Sequence, residues 1–349
     1  MPAGPGGQPA LRQRHGRRRQ PMSLAIGPHA LDGRALLAPM AGVTDRPFRQ
    51  LCRQLGAALA PAEMLTADTR LWGSAKSRRR MDHGGEPAPR VVQLAGAEPA
   101  QLAEAARRNV ALGADIIDIN MGCPAKKVYN RACGSALLAD ESLVGRILEA
   151  VVAAAGVPVT VKIRTGIDPA HRNAARIAAI AAQAGVCAIT VHGRTRADAF
   201  RGQAEHDTLA ALRPAVAIPL IANGDIGDAR AAGRVLAYTQ ADAVMIGRAA
   251  QGAPWIFRDV NAHMKKGPFG PPLLRAQKLA IILSHLESLY AFYGEYLGIR
   301  MARKHLGWYG RLLESAGTWR PRLMAAEDSA SQFAVARAAF GAWAAQAAA

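Results

Sequence analysis

Short apolar runs rich in Val and Ile alternate along this chain with longer segments of Ala, Leu and Arg. The runs are RALLAPM (34–40), LAPAEML (59–65), RVVQLAG (90–96), ADIIDINMG (114–122), PVTVKIRTG (158–166), CAITVHGRT (187–195), IPLIANGD (218–225) and ADAVMIGRA (241–249). Each has the length of a strand, and their alternation with helical segments implies parallel strands buried on both faces. Between them lie helical stretches such as PAQLAEAARRNVALG (99–113), whose Leu102, Ala105, Ala106, Val110 and Leu112 fall largely on one face. Several of these stretches close on a glycine, at Gly56, Gly113, Gly156 and Gly185, the residue that most easily ends a helix. Eight strand–helix units are the closure number of a (β/α)8 TIM barrel, an α/β fold; a doubly wound open sheet is the alternative.

The register changes after residue 250. GPFGPP (267–272) marks a turn cluster, and the segments beyond it are helical and bear aromatics. The predicted organisation is a disordered basic arm over 1–21, a barrel over 22–265, and a small all-α C-terminal domain over 270–349. The arm, Pro-, Gly- and Arg-rich, shows no apolar periodicity.

Barrel enzymes gather their chemistry at the C-terminal ends of the strands. Here those ends carry Pro39, Met40 and Ala41; Glu63; Gln93; Asn120, leading to Cys123; Lys162 and Arg164; His192 and Arg194; Asn223, Gly224 and Asp225; and Gly247 and Arg248. One polar group at one strand end says little, but the full set does not follow from packing a core. The glycines of the last two strands allow backbone to approach a phosphate, and Arg248 adds charge. Lys162 and Gln93 lie nearer the barrel axis, where a cation suits a ring that is anionic when reduced. Together these residues describe a flavin mononucleotide (FMN) site. Cys123, on a Gly-Cys-Pro turn among Asn120, Lys126, Lys127 and Arg131, is set to act as a nucleophile or as an acid.

Composition adds a partner and removes others. Lys and Arg number 44 against 26 Asp and Glu, a net charge of +18, which points to a polyanion such as nucleic acid; a genomic bias toward Ala and Arg is the alternative source. The four cysteines, Cys52, Cys123, Cys133 and Cys187, form no CxxC or zinc-type spacing, so no metal site is expected and a reducing compartment fits. No apolar stretch reaches the ~18 residues that would span a membrane.

Several motifs occur together and in order: APMAGVTDRPFR, QLAG, INMGCPAKKV, GSALL, VKIRTG, VHGRTR, IANGDI and ADAVMIGRAAQGAPWIF. With RKHLGWY (303–309) they resemble the tRNA-dihydrouridine synthase family, and NMGCPAKKV is similar to its DusB-like subgroup. The resemblance runs from about residue 24 to about 315. It implies a cytoplasmic, monomeric flavoenzyme that reduces the C5–C6 bond of a uridine in tRNA, with NADPH (or NADH) reducing FMN. Cys123 would protonate C5 from the face opposite the flavin. The implied FMN contacts are Pro39, Met40, Ala41, Gln93, Lys162, Asn223, Gly224, Asp225, Gly247 and Arg248, with His192 nearby. Asn120, Arg164 and Arg194 are candidates for the uracil or its phosphate. Arg303, Lys304 and His305 of the helical domain, with Arg196, Lys126 and Lys127, are candidates for the tRNA backbone, and the density from Lys76 to Arg80 is a further basic stretch. Cys133 departs from the expected small residue and is read as an inert core thiol or a second acid.

Overall fold

The computed structural model describes residues 24–125, 133–265, 271–313 and 316–346. The expected arm over 1–21, and Lys126, Lys127 and Arg131, lie outside the described residues.

A hairpin comes first, β1 (Leu24–Ile26) and β2 (His29–Leu31). The remaining strands are β3 (Ala35–Leu37), β4 (Leu65–Thr66), β5 (Val91–Ala95), β6 (Ile116–Met121), β7 (Val159–Arg164), β8 (Ala188–His192), β9 (Leu220–Asn223) and β10 (Ala243–Ile246). All eight are parallel, in the order β3-β10-β9-β8-β7-β6-β5-β4. The ring closes between β3 and β5 through the extended segment that precedes β4. The amide of Ala58 donates to the Ala35 carbonyl (2.8 Å) and Leu37 to Leu59 (2.9 Å) on one side, and Ala62 donates to Val91 (2.9 Å) on the other. Pro61 has no N–H to offer the ladder, so the second strand is an interrupted one. The fold is a TIM barrel.

The helices that follow the strands cover its outside. The helix Pro99–Ala111 buries Leu102, Ala105 and Ala106 as its pattern predicts, but Asn109 takes a buried place by donating its Nδ2 to the Ala105 carbonyl (2.8 Å), while Leu112 lies exposed. The barrel interior divides by height. Leu36, Val91, Ile116, Ala188, Ile221 and Ala243 form an apolar floor, plugged from below by Leu24, Ile26 and Leu31 of the hairpin. Above that floor the same inward faces turn polar.

The helical region contains Arg275–Tyr309, Ala316–Ala325 and Ser329–Ala345, packed around Ile282, Leu286, Leu289, Leu306, Phe340 and Trp343. The first helix is broken at Gly294, whose φ of 74° lies in the left-handed region that glycine enters without penalty. This unit docks against the first strand–helix loop of the barrel. Tyr293 donates its hydroxyl to Asp45 (3.0 Å) and Lys304 its Nζ to the Gly42 carbonyl (2.8 Å). Phe48 sits against His285 and His305, with ring centroids 5.6 and 5.2 Å away. Among the described residues no helix is long and apolar enough to cross a membrane.

Candidate active site

The strands end around one cavity of about 790 Å³, within the range of small-molecule and cofactor sites. Its lining includes Pro39, Met40, Ala41, Gln93, Asn120, Cys123, Lys162, Arg164, His192, Asn223, Gly224, Asp225, Gly247 and Arg248. Residues spread over more than 200 positions of sequence are thus brought to one face, because each closes its strand on the same end of the barrel.

A chain of hydrogen bonds runs through its wall. Asp118 accepts from the Thr160 hydroxyl (2.7 Å) and from Gln93 Nε2 (2.7 Å). Gln93 Oε1 accepts from Asn120 Nδ2 (2.8 Å), and Asn120 Oδ1 accepts from the amides of Gly122 (3.2 Å) and Cys123 (3.0 Å). The Cys123 carbonyl takes a bond from the Ser135 hydroxyl (2.9 Å), so the turn bearing the thiol is held from both sides. Cys123 borders the cavity and is half-buried.

On the adjacent strand Lys162 donates Nζ to Asn223 Oδ1 (2.9 Å), and Asn223 Nδ2 donates to the Met245 carbonyl (2.8 Å). Burial, reinforced by the Arg164 cation and opposed by Asp118, draws the lysine's pKa down to about 8. Burial, and then the cations of Lys162, Arg164, Arg194 and Arg248, hold His192 down to about 2, so its imidazole is neutral. Burial also pulls Arg164 to about 10.

The loops after β9 and β10 form a small-residue cradle. A Cβ on Gly224, at φ 126°, would meet that of Ala204 at 2.6 Å, whereas one on Gly227 would project into open space. Gly247 borders the cavity, and a Cβ there would make ordinary contact with Ala38 and Met40 at 3.6 Å. Arg248, largely exposed, donates to Asp225 Oδ1 (2.8 Å).

Several expectations change. Arg194 is 2% exposed and does not line the cavity. It donates to both Asp225 oxygens (3.0 and 2.6 Å) and to the carbonyls of Arg201 and Gly202, so it braces the rim rather than facing a ligand. Arg164 does line the cavity, but it is committed to the carbonyls of Gly122 (2.7 Å), Thr195 and Ala199 (2.8 Å each). His305 is fully buried beneath Phe48, away from any surface. Arg303 donates to the Ala326 carbonyl, inside the helical unit, and Arg196 lies outside the cavity lining. Lys304 alone of that basic trio reaches the barrel loops. Arg80, from the Lys76–Arg80 stretch, is tied to Glu63 and to the Met64 carbonyl. Cys133 is half-buried, so it is no core thiol, and it does not border the cavity.

Two participants escaped the sequence reading. Phe200 is an exposed aromatic at the mouth, 57% accessible, with the guanidiniums of Arg164 and Arg248 at 5.5 and 5.7 Å from its ring centre. Asp118 is buried in mid-strand, and a charged residue inside the apolar run ADIIDINMG is the signal that marks it.

A barrel with a half-buried lysine, a neutral imidazole, a glycine cradle and a thiol around one mouth is suited to redox chemistry on a flat bound cofactor. The sequence model of the dihydrouridine synthase (Dus) family matches residues 36–344. Curated relatives named tRNA-dihydrouridine synthase B include that of Pseudomonas aeruginosa, 56% identical over 315 residues (90% of this chain, 95% of the relative). Those of Xanthomonas axonopodis pv. citri (54% over 319 residues; 91% and 96%) and Klebsiella pneumoniae (50% over 317 residues; 91% and 99%) are similar along their lengths. Among solved structures, histamine dehydrogenase from Rhizobium sp. 4-9 superposes with a TM-score of 0.52 at 13% identity, over 76% of this chain and 50% of that one, a likeness of fold. The chain belongs to the dihydrouridine synthase family, in its DusB-like subgroup, and is a flavin-dependent oxidoreductase of tRNA modification.

Proposed function

We propose that this protein reduces the C5–C6 double bond of a uridine in tRNA to 5,6-dihydrouridine, with FMN as its flavin, NADPH as the reductant and Cys123 as the proton donor to C5. The observation that carries this reading is the meeting of Cys123, Lys162, His192 and the Gly224–Gly227 cradle around one cavity. The donor set fits FMN. Gly224, Gly247 and Arg248 offer close backbone approach and a positive charge for a phosphate, and Lys162 keeps two N–H donors beyond the one given to Asn223. When bound and reduced, FMN supplies the hydride for uracil C6.

The chain's own residues do the rest. Lys162 carries positive charge through most of the neutral range, which balances negative charge developing beside it. Neutral His192 adds a hydrogen-bonding group without a second cation. Asn120 and Ser135 hold the Cys123 turn at the cavity, and the thiol passes its proton to C5 as the new C–H bond forms. A uridine reaches such a recessed site only after leaving its stack, at a cost of a few kcal/mol. Phosphate contacts from a chain of net charge +18 offset that cost.

The test is incubation with unmodified tRNA and NADPH, followed by mass mapping of the nucleosides. A gain of two hydrogens on one uridine is expected. A flavin that is reoxidised by small enones but not by tRNA would overturn the reading. Binding should also weaken steeply with added salt.

A further inference from the structure

We infer that Asp118 is a buried counter-charge of the flavin site: its carboxylate, one strand step below the cavity, offsets the Lys162 cation and holds down the reduction potential of the flavin bound above it. This deepens, and rests on, the reading of the cavity as the flavin site.

The hydrogen bonds fix the charge state. The backbone amides of Gly122 and Cys123 can only donate, so Asn120 gives them Oδ1 and turns Nδ2 to Gln93 Oε1. Gln93 therefore presents Nε2 to Asp118, and the oxygen that receives it carries no proton. The other oxygen accepts from the Thr160 hydroxyl. Asp118 is thus an ionised carboxylate, 4% exposed, held by two neutral donors. Half-buried Lys162 likewise gives its Nζ to a neutral amide, that of Asn223. A buried charge is costly unless an opposite one answers it, and these two answer each other across one layer. Asp118 pairs in register with Thr160 and Asn120 with Lys162, so the cation stands one two-residue step, ~6.6 Å, above the level of the carboxylate. Each charge favours the ionised form of the other. Gln93 and Lys162 line the cavity and Asp118 does not, so it acts at one remove from a ligand. Asp225, an acid that does line the cavity, is taken up by Arg194 and Arg248 at the rim.

An anion beneath the ring opposes the negative charge that reduction places on it. Lys162 alone would favour the reduced flavin; Asp118 cancels part of that preference and leaves a stronger hydride donor. The balance of the step is unchanged. Uracil C6 receives a hydride from the flavin and C5 a proton from Cys123, the C5–C6 π bond is lost, and the flavin is oxidised by two electrons.

Asp118→Asn isolates the charge. Its Oδ1 can receive Gln93 Nε2 and its Nδ2 can donate to the Thr160 oxygen, so both hydrogen bonds survive and only the negative charge goes. Oxidised FMN should then bind with a Kd within about threefold of wild type, since no hydrogen bond is lost. Reduced FMN, titrated anaerobically at pH 6 where Lys162 is charged, should bind ~10- to 100-fold more tightly. The midpoint potential of the bound flavin rises accordingly by about 30–60 mV, at about 30 mV per tenfold for a two-electron couple. Spectroelectrochemistry reads the same shift. A merely loosened pocket would weaken both forms alike and leave the potential where it was. A ratio of the two affinities within about twofold of wild type, or one that moves the other way, overturns the inference.

If D118N does not fold, Asp118→Ser, whose hydroxyl can accept from Gln93, carries the same pair of titrations. Wild-type protein supplies a reading that needs no variant. With aspartate carboxyls labelled with carbon-13, Asp118 should show the chemical shift of an ionised carboxylate from pH 6 to pH 8, and the shift of a protonated carboxyl would overturn the inference. Wild-type protein that binds flavin but reduces no tRNA would sink the functional reading and leave the comparison of potentials standing. Wild-type protein that binds no flavin would overturn both.

Discussion

The floor and the mouth of this barrel are built on the same strands and differ by two or four residues along each. Val91 on the floor becomes Gln93 above it, Ile116 becomes Asp118 and then Asn120, Ala188 becomes Thr190 and then His192, and Ile221 becomes Asn223. A two-residue step keeps the side chain on the same face and raises it by ~6.6 Å. The lower layer is apolar and plugged by the hairpin, and its interactions are non-directional. The upper layer consists of donors and acceptors that must each find a partner of the right sense, and it meets the cavity at Ala38 and Met245, where the two zones touch. The difference teaches that one scaffold separates the task of staying folded from the task of chemistry by height alone.

The sharpest break of that separation is at the thiol. Cys123→Ala should lower the rate of tRNA reduction by ~10²–10⁴-fold, the usual worth of a positioned acid, and leave the flavin bound and the melting temperature unmoved. Steady-state kinetics beside a thermal melt check both halves. On the floor the signs reverse. Ile116→Ala removes a fully buried side chain and should cost ~2–5 kcal/mol in denaturant unfolding, with kcat preserved wherever the protein remains folded.

Lys162→Met tests the boundary between the zones. Loss of a charge-assisted bond should weaken flavin affinity by roughly 10- to 150-fold (~1.5–3 kcal/mol). Because the half-buried ammonium is partly desolvated, losing it should leave stability little changed; a flavin titration and an unfolding curve of the apoprotein read the two effects separately.

The smallest effect lies where the helical unit docks. Burial holds His285 down to about 3 and His305 well below its ordinary range, so both are neutral in the folded protein. As pH falls below about 6.5 the unfolded chain takes up these protons and the folded one does not, so the stability they permit is present above that pH and lost below it. Each contributes a slope of at most ~1.4 kcal/mol per pH unit. Neither ring nitrogen of His305 has a hydrogen-bond partner among the described residues. His305→Phe should therefore flatten the loss of stability between pH 6 and pH 4 at little cost near pH 7, as melts across that range would reveal.

The sequence read alone carried the barrel a long way. VVQLA, IIDINM and VTVKIR each keep one unbroken apolar face for the helices to cover and are flanked by helical segments, the pattern of parallel strands buried between other layers. It also located the rim, since polar residues recur where these runs stop. The second strand was harder, because Pro61 breaks its ladder and the ring is closed by isolated hydrogen bonds. The hairpin plug was missed, as three-residue strands leave almost no periodicity. Both Arg164 and Arg194 were expected to face a ligand, and only Arg164 lines the cavity. Arg164 and Arg194 have equal chemistry and equivalent positions after successive strands, but Arg194 is captured by Asp225, a residue 31 positions away.

What the chain by itself determined is thus the periodic part: eight buried strands, the end of each that bears chemistry, and the thiol on its Gly-Cys-Pro turn. These follow from local spacing, because a strand's inward face repeats every second residue wherever it lies. The tertiary structure alone decided which polar groups answer one another. The sense of each hydrogen bond from Asp118 to Cys123, the capture of Arg194 and the burial of His305 all depend on partners that only closure of the ring and docking of the helices bring within reach.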